Sequence, residues 1–179
     1  YIRINQEEFK NATTFIYGLD ADLIMLCLAH LSYCPKLFLY RETPNFIKSI
    51  NKNLDPNKLY KIDISHFSKI ICAEFKIENP LEYVFLFFLL GNDFIPHSPS
   101  LNIRTTGIKQ LQKAYINVLA SKNLCLIDND KIDWKNFRAL IHELSKYEKK
   151  TIQLEIENRQ KKNFHNLDKK EEAYNLIPS

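Results

Sequence analysis

Three aspartates hold most of the chemistry this sequence offers. Asp20 and Asp22, one residue apart, interrupt the apolar run "FIYGLDADLIML" from Phe15 to Leu26. Carboxylates set against a hydrophobic background are costly unless something pairs with them. A backbone that stays extended through Ala21 points both side chains to one side, and like charges that close share either a proton or a cation. Hard oxygen ligands with no Cys or His pair beside them select Mg²⁺ or Mn²⁺ over zinc. The competing reading for Asp22 is a cap on the helix that follows, where negative charge is favourable.

Asp93 is the third. It comes just after "LEYVFLFFLL" (Leu81 to Leu90), a helix apolar on every face and therefore expected to be buried all round. The helix dipole disfavours an anion at that end, and the proline-bounded turn Gly91 to Pro99 fixes the direction of the side chain. The ordinary alternative is that Asp93 or Asn92 caps the next turn. Two such carboxylate sites in one α/β chain favour a shared divalent-metal cluster. Metals held in that way suit phosphodiester hydrolysis, activating a water and stabilising the leaving oxygen.

The elements that must position these residues follow from the pattern of apolar residues. Thr13 to Leu19 is β-branched and aromatic, which suits a buried strand, and Asp20 to His30 has a helical period. Leu37 to Tyr40 and Tyr60 to Ile64 are further strand candidates. The Pro-, Asn- and Lys-rich stretch from Thr43 to Lys58 reads as a surface loop with one helical turn at Phe46 to Ile50. Ser65 is positioned to cap a helix running to Phe75, and Asn79-Pro80 opens the next. A helix follows from Thr105 to Leu119, then a short hairpin or loop in "LCLIDNDKIDW". Trp134, Phe137, Leu140, Ile141, Leu144 and Tyr147 recur at intervals of three and four, which predicts a helix with Trp134 heading its packed stripe. That helix is expected to continue past Lys149 with fewer apolar anchors. Strands alternate with helices early and helices dominate later. The fold expected is an α/β piece over residues 1–100 and a mainly helical extension over residues 101–179.

Composition narrows the function classes. The chain has 179 residues, 45% of them hydrophobic, and a net charge of +4, which permits a nucleic-acid partner without demanding one. Only three glycines occur, Gly18, Gly91 and Gly107, so Gly-rich phosphate loops are excluded. Cys27, Cys34, Cys72 and Cys125 have neither zinc nor disulfide-framework spacing and read as reduced, mostly buried thiols. The longest apolar run is too short to span a bilayer, and no signal peptide is expected. An intracellular chain, cytoplasmic or nuclear, is expected. The paired lysines after Lys149 alternate with glutamates, the mark of a solvated helix.

Taken together, "YGLDADLIML" (Tyr17 to Leu26), "LFLYRE" (Leu37 to Glu42) and "FLLGNDFIPHSPSLNIRTTGI" (Phe88 to Ile108) closely resemble the XRN-type 5′→3′ exoribonucleases in order and spacing. The resemblance runs from Tyr1 to Tyr147. It implies an α/β nuclease core related to the FEN and PIN nucleases, followed by a helical region. It also implies divalent-metal-dependent degradation of single-stranded RNA bearing a 5′-monophosphate. By motif, Asp20, Asp22 and Asp93 correspond to three of the family's metal-binding aspartates, while Asn92, Phe94, Pro96 and His97 shape the same turn. Arg41 and Arg104 fall in matching motifs as structural or electrostatic residues, with Arg104, His97 and Asn92 lining the site.

Two departures, Cys27 for a usual glycine and Ser98 for a usual leucine, remove no ligand. The family's first aspartates, its "GEGEHK" glutamates and its basic 5′-phosphate pocket have no counterpart in the chain. The expectation is therefore a fragment or truncated product, inactive alone, whose partner is the upstream half of the nuclease core. The rival readings are a non-catalytic RNA-binding or protein-interaction module derived from the family and a FEN-like structure-specific DNA nuclease.

Overall fold

The structure, a computed structural model, describes residues 1–41, 51–55 and 57–174, with side chains described as far as Glu157, Asn158 and Gln160. The loop turn expected at Phe46 to Ile50 lies outside the described residues. A short helix α1 (Gln6–Asn11) precedes strand β1 (Thr13–Tyr17) and helix α2 (Asp22–Leu28). Strands β2 (Lys36–Arg41) and β3 (Tyr60–Asp63) follow, then helices α3 (Ile64–Phe75), α4 (Pro80–Phe88) and α5 (Gly107–Val118). A two-residue-strand hairpin, β4 (Ile127–Asp128) and β5 (Lys131–Ile132), leads into the long helix α6 (Trp134–Tyr174).

β1 pairs parallel with β2, with Phe15 opposite Phe38, and β2 pairs antiparallel with β3, with Tyr40 opposite Lys61. Parallel pairing requires a crossover, and α2 supplies it. Because side chains alternate across a strand, the three-stranded sheet divides its residues cleanly. Ile16, Leu37, Leu39 and Ile62 face the core, where α2, α3 and α4 pack. Phe15, Phe38 and Tyr40 lie on the other face, with Phe15 stacked on Phe38 at 5.3 Å between centroids and Lys61 over the Phe38 ring. β1 is thus not the fully buried strand its composition suggests. Phe15 is 55% exposed, because among the described residues the helices cover one face only.

Local signals explain most boundaries. Asn79 Oδ1 accepts the Leu81 N–H and Pro80 stands at the first turn of α4, as expected. Ser65 does not cap α3. Asp63, ending β3, does so instead through Oδ1 to the His66 N–H at 3.0 Å. The 127–132 segment is a hairpin, and Asn129 and Asp130 both take positive φ, the conformation a two-residue turn needs to match strand twist.

Two expectations about packing fail. Trp134 is 65% exposed. The N-cap is Asp133, whose Oδ1 accepts from the Lys135 and Asn136 N–H groups, which leaves Trp134 at the helix mouth, edge-on to Phe137. Leu140 is the fully buried residue of that stripe, and α6 packs on α5 along it. Helix α4 is also open on one side, where Phe88 is half-exposed. No helix among the described residues is long and apolar enough to cross a membrane. All four cysteines are free thiols, Cys27 and Cys34 buried, and burial pushes the Cys27 thiol up to about 11.

The least anticipated feature is Glu82, an acidic residue in the first turn of the most apolar helix and only 1% exposed. Its Oε2 accepts the Tyr115 hydroxyl of α5 and, at 2.8 Å, the Leu126 N–H just before β4. One carboxylate therefore joins α4, α5 and the hairpin. Burial raises its pKa above the ordinary value, while the two hydrogen bonds oppose that rise.

Candidate metal centre

The loop from Gly18 to Ala21 leaves β1 at the carboxyl end of the sheet, where ligands bind in open α/β folds. Two bonds hold it against β2. The Gly18 N–H donates to the Tyr40 carbonyl at 3.1 Å, and the Arg41 guanidinium donates to the Leu19 carbonyl. Arg41 is thus spent on the backbone immediately before Asp20, a structural role.

Ala21 is not extended. It has helical dihedrals (φ −67°, ψ −30°) and begins α2. The two aspartates still come together, because Asp20 Oδ1 accepts the Asp22 N–H at 3.0 Å and folds the segment back on itself. Asp22 makes no side-chain cap; it stands in the first turn with its carboxylate free for another partner among the described residues.

Asp93 arrives from the far side of the core. After α4, Gly91 takes a φ of +85°, and Asn92 closes the turn. Asn92 Oδ1 accepts the Phe94 and Ile95 N–H groups at 2.9 and 2.8 Å, and its own N–H donates to the Ile95 carbonyl. Asn92 is therefore the capping residue of the pair, and Asp93 at the tip of the turn makes no hydrogen bond among the described residues. A Cβ on Gly91 would lie 2.7 Å from the His97 backbone nitrogen and 2.8 Å from its Cβ. Gly91→Ala combines that clash with a left-handed backbone. It is expected to cost roughly 2–3 kcal/mol and to displace Asp93, which denaturant unfolding and Mn²⁺ affinity measured on the same variant will register together.

The result is a triad of side chains. One carboxylate oxygen from each of Asp20, Asp22 and Asp93 lies within 4.8 Å of the other two. Partial burial first, then the charges of Asp20 and Asp93, raise the Asp22 carboxyl above its ordinary value. No lysine or arginine pairs with the three among the described residues. Of the other residues marked by the sequence, His97 and Arg104 are exposed and line a neighbouring pocket with Leu90, Asn102 and Ile103. They do not touch the triad's hydrogen bonds. Glu82 was missed as a determinant of the site's support. A lone acid inside "LEYVFLFFLL" was the available signal.

Residues 74–176 match the family model described as the Xrn1 helical domain, more than half of the chain. The chain belongs to the XRN-type 5′→3′ exoribonuclease family. 5′-3′ exoribonuclease 1 of Schizosaccharomyces pombe is 30% identical over 174 residues, which cover 89% of this chain and 13% of that protein. 5′-3′ exoribonuclease 2 of Arabidopsis thaliana is 26% identical over 207 residues, covering 92% of this chain and 20% of the relative. 5′-3′ exoribonuclease 1 of Saccharomyces cerevisiae is 30% identical over 180 residues, 89% and 12% respectively. The chain thus spans between 12% and 20% of the length of these XRN-type relatives. Within it, Asp20 and Asp22 precede the stretch matched by the helical-domain model and Asp93 falls inside it.

Proposed function

We propose that Asp20, Asp22 and Asp93 hold a divalent cation, Mg²⁺ or Mn²⁺, as part of the hydrolytic centre of a 5′→3′ exoribonuclease. The substrate is single-stranded RNA with a 5′-monophosphate. The observation that carries this reading is the convergence of three carboxylates with no lysine or arginine partner among the described residues, two from the segment between β1 and α2 and one from a turn some seventy residues later, within 4.8 Å. The donor set fits the cation. All three ligands are hard oxygens, and no nitrogen or sulfur joins them.

When bound, such a cation supplies Lewis acidity toward the phosphoryl oxygens of the scissile bond. The chain's own residues perform the positioning. Asp20 is held by the Asp22 N–H, Arg41 fixes the strand end beneath it, and Asn92 with Gly91 aims Asp93. We place the sheet, with its parallel β1 and β2 and its aspartates at their carboxyl end, in a FEN/PIN-like nuclease core that the upstream half of the enzyme completes. Three carboxylates hold one hard cation but are too few for two. The chain alone is therefore expected to bind metal without turning RNA over.

The test is a Mn²⁺ titration of the chain beside Asp20→Asn and Asp93→Asn. Each substitution removes one charged ligand and is expected to weaken binding at least about tenfold, about 1.4 kcal/mol. Equal affinities in all three proteins would dismiss the shared site. A chain that binds no Mn²⁺ at all would point instead to a non-catalytic interaction module.

A further inference from the structure

Beyond the carboxylates, the turn that carries Asp93 leads into a second feature. Leu90, His97, Asn102, Ile103 and Arg104 line a pocket of about 310 Å³. Leu90 and Ile103 also line the larger groove that ends at Asp22 and Asn92. The pocket and the groove lined by Asp22 and Asn92 therefore share a wall.

Its polar side chains are His97, Asn102 and Arg104, of which only Asn102 makes side-chain hydrogen bonds among the described residues. Asn102 is fully engaged: Oδ1 accepts the Arg104 N–H at 2.9 Å, and Nδ2 donates to Glu155 Oε1 of α6 at 2.6 Å. The Asn102 carbonyl takes the Thr105 and Gly107 N–H groups. A Cβ on Gly107 would come within 2.7 Å of that carbonyl oxygen, so the loop from Asn102 to Gly107 is tightly closed. On α6, Glu155 accepts from Asn102. The Arg104 guanidinium meets no carboxylate among the described residues, and the His97 ring makes no hydrogen bond there. An exposed guanidinium on a rigid loop beside an imidazole is suited to an anion of phosphate geometry.

We propose that His97 and Arg104 form a subsite for a backbone phosphodiester of the RNA strand, next to the one at the metal centre. This deepens the function proposed above and rests on it. Asp20, Asp22 and Asp93 hold the cation at the scissile phosphate. Arg104 holds a neighbouring phosphate, and so sets the register of the strand without reading its bases.

The test follows binding of a short fluorescent oligouridine to the chain in Mn²⁺ across roughly 50 to 200 mM salt. Arg104→Gln is expected to weaken binding several-fold and to lower the slope of log affinity against log salt by about 0.7, the share of one phosphate contact on a single strand. Arg104→Lys should keep the slope. An oligomer with neutral methylphosphonate linkages should bind the parent and Arg104→Gln alike. Identical slopes for parent and Arg104→Gln, or no oligouridine binding at low salt, would overturn the subsite. Displacement of the RNA by inorganic phosphate at constant ionic strength would assign the pocket to free phosphate, and would overturn it too. The Mn²⁺ affinity of Arg104→Gln, measured without RNA, separates the two proposals. A chain that holds RNA through Arg104 yet binds no Mn²⁺ would sink the metal reading alone.

Discussion

Asp93→Ala, introduced into a full-length exoribonuclease carrying this sequence, is expected to lower the rate of RNA hydrolysis on the order of 10³-fold or more while leaving the melting temperature unchanged. The rate loss follows from removing one of the three carboxylates proposed to hold the divalent cation, since transition-state charge stabilisation by a bound metal amounts to several kcal/mol. The silence in stability follows from the geometry. Asp93 is exposed at the tip of its turn and makes no hydrogen bond among the described residues, and the turn is closed by Asn92 rather than by Asp93. Single-turnover hydrolysis of a 5′-monophosphorylated RNA, read beside thermal unfolding, checks both halves. Full activity would remove Asp93 from the site.

The largest effect on stability is expected at Glu82. Glu82→Ala leaves the Tyr115 hydroxyl and the Leu126 N–H buried without an acceptor and opens a cavity among α4, α5 and the hairpin. Such losses are of order 3 kcal/mol or more, and for a chain of this length that is about 6–12 °C in melting temperature. Glu82→Gln keeps an acceptor oxygen and should lose far less.

The two variants also separate by pH. Burial raises the Glu82 pKa in the folded chain above its ordinary 4.5. The folded state then holds a proton that the unfolded state has released, so stability falls as pH rises from about 4.5 through the folded-state pKa and levels off beyond it. Glu82→Gln has no such titration. Its stability relative to the parent should improve over that window, as denaturant unfolding at stepped pH will show. A parent and Glu82→Gln pair with parallel pH profiles would mean that the carboxylate is not desolvated as its position implies.

Glu82 also bears on the metal centre. Asp93 comes off the end of the helix that Glu82 anchors, so the triad's third member depends on a buried polar network as well as on its own turn. The same helix places Gly91, whose positive φ lets the chain reverse in time to bring Asp93 back toward Asp20 and Asp22.

Much of this was legible in the order of residues. Asp20, Asp22 and Asp93 stood out because carboxylates beside apolar runs are costly unless something pairs with them. The Asn79-Pro80 start of α4, the turn at Gly91 and the amphipathic periods of α5 and α6 are set by interactions within a few residues: a side-chain cap, a missing N–H, a φ that only glycine holds easily. Such features travel with the sequence.

What depended on the tertiary structure was everything decided by a distant partner. That Ala21 turns helical while Asp20 and Asp22 still converge rests on one side-chain bond to the Asp22 N–H. The choice of Asn92 as the cap, with Asp93 left free, was open in the sequence because either side chain can close that turn. Trp134 headed a perfect stripe and yet lies exposed, because Asp133 caps the helix and leaves Trp134 at its mouth. Phe15 sits in a strand whose composition suits burial, but among the described residues helices cover only the other face of its sheet. Glu82 was the hardest, since a buried acid is intelligible only once a hydroxyl 33 residues away and an N–H 44 residues away are seen to meet it. Periodicity reports which side of an element prefers to be covered. Only the packed chain decides what covers it.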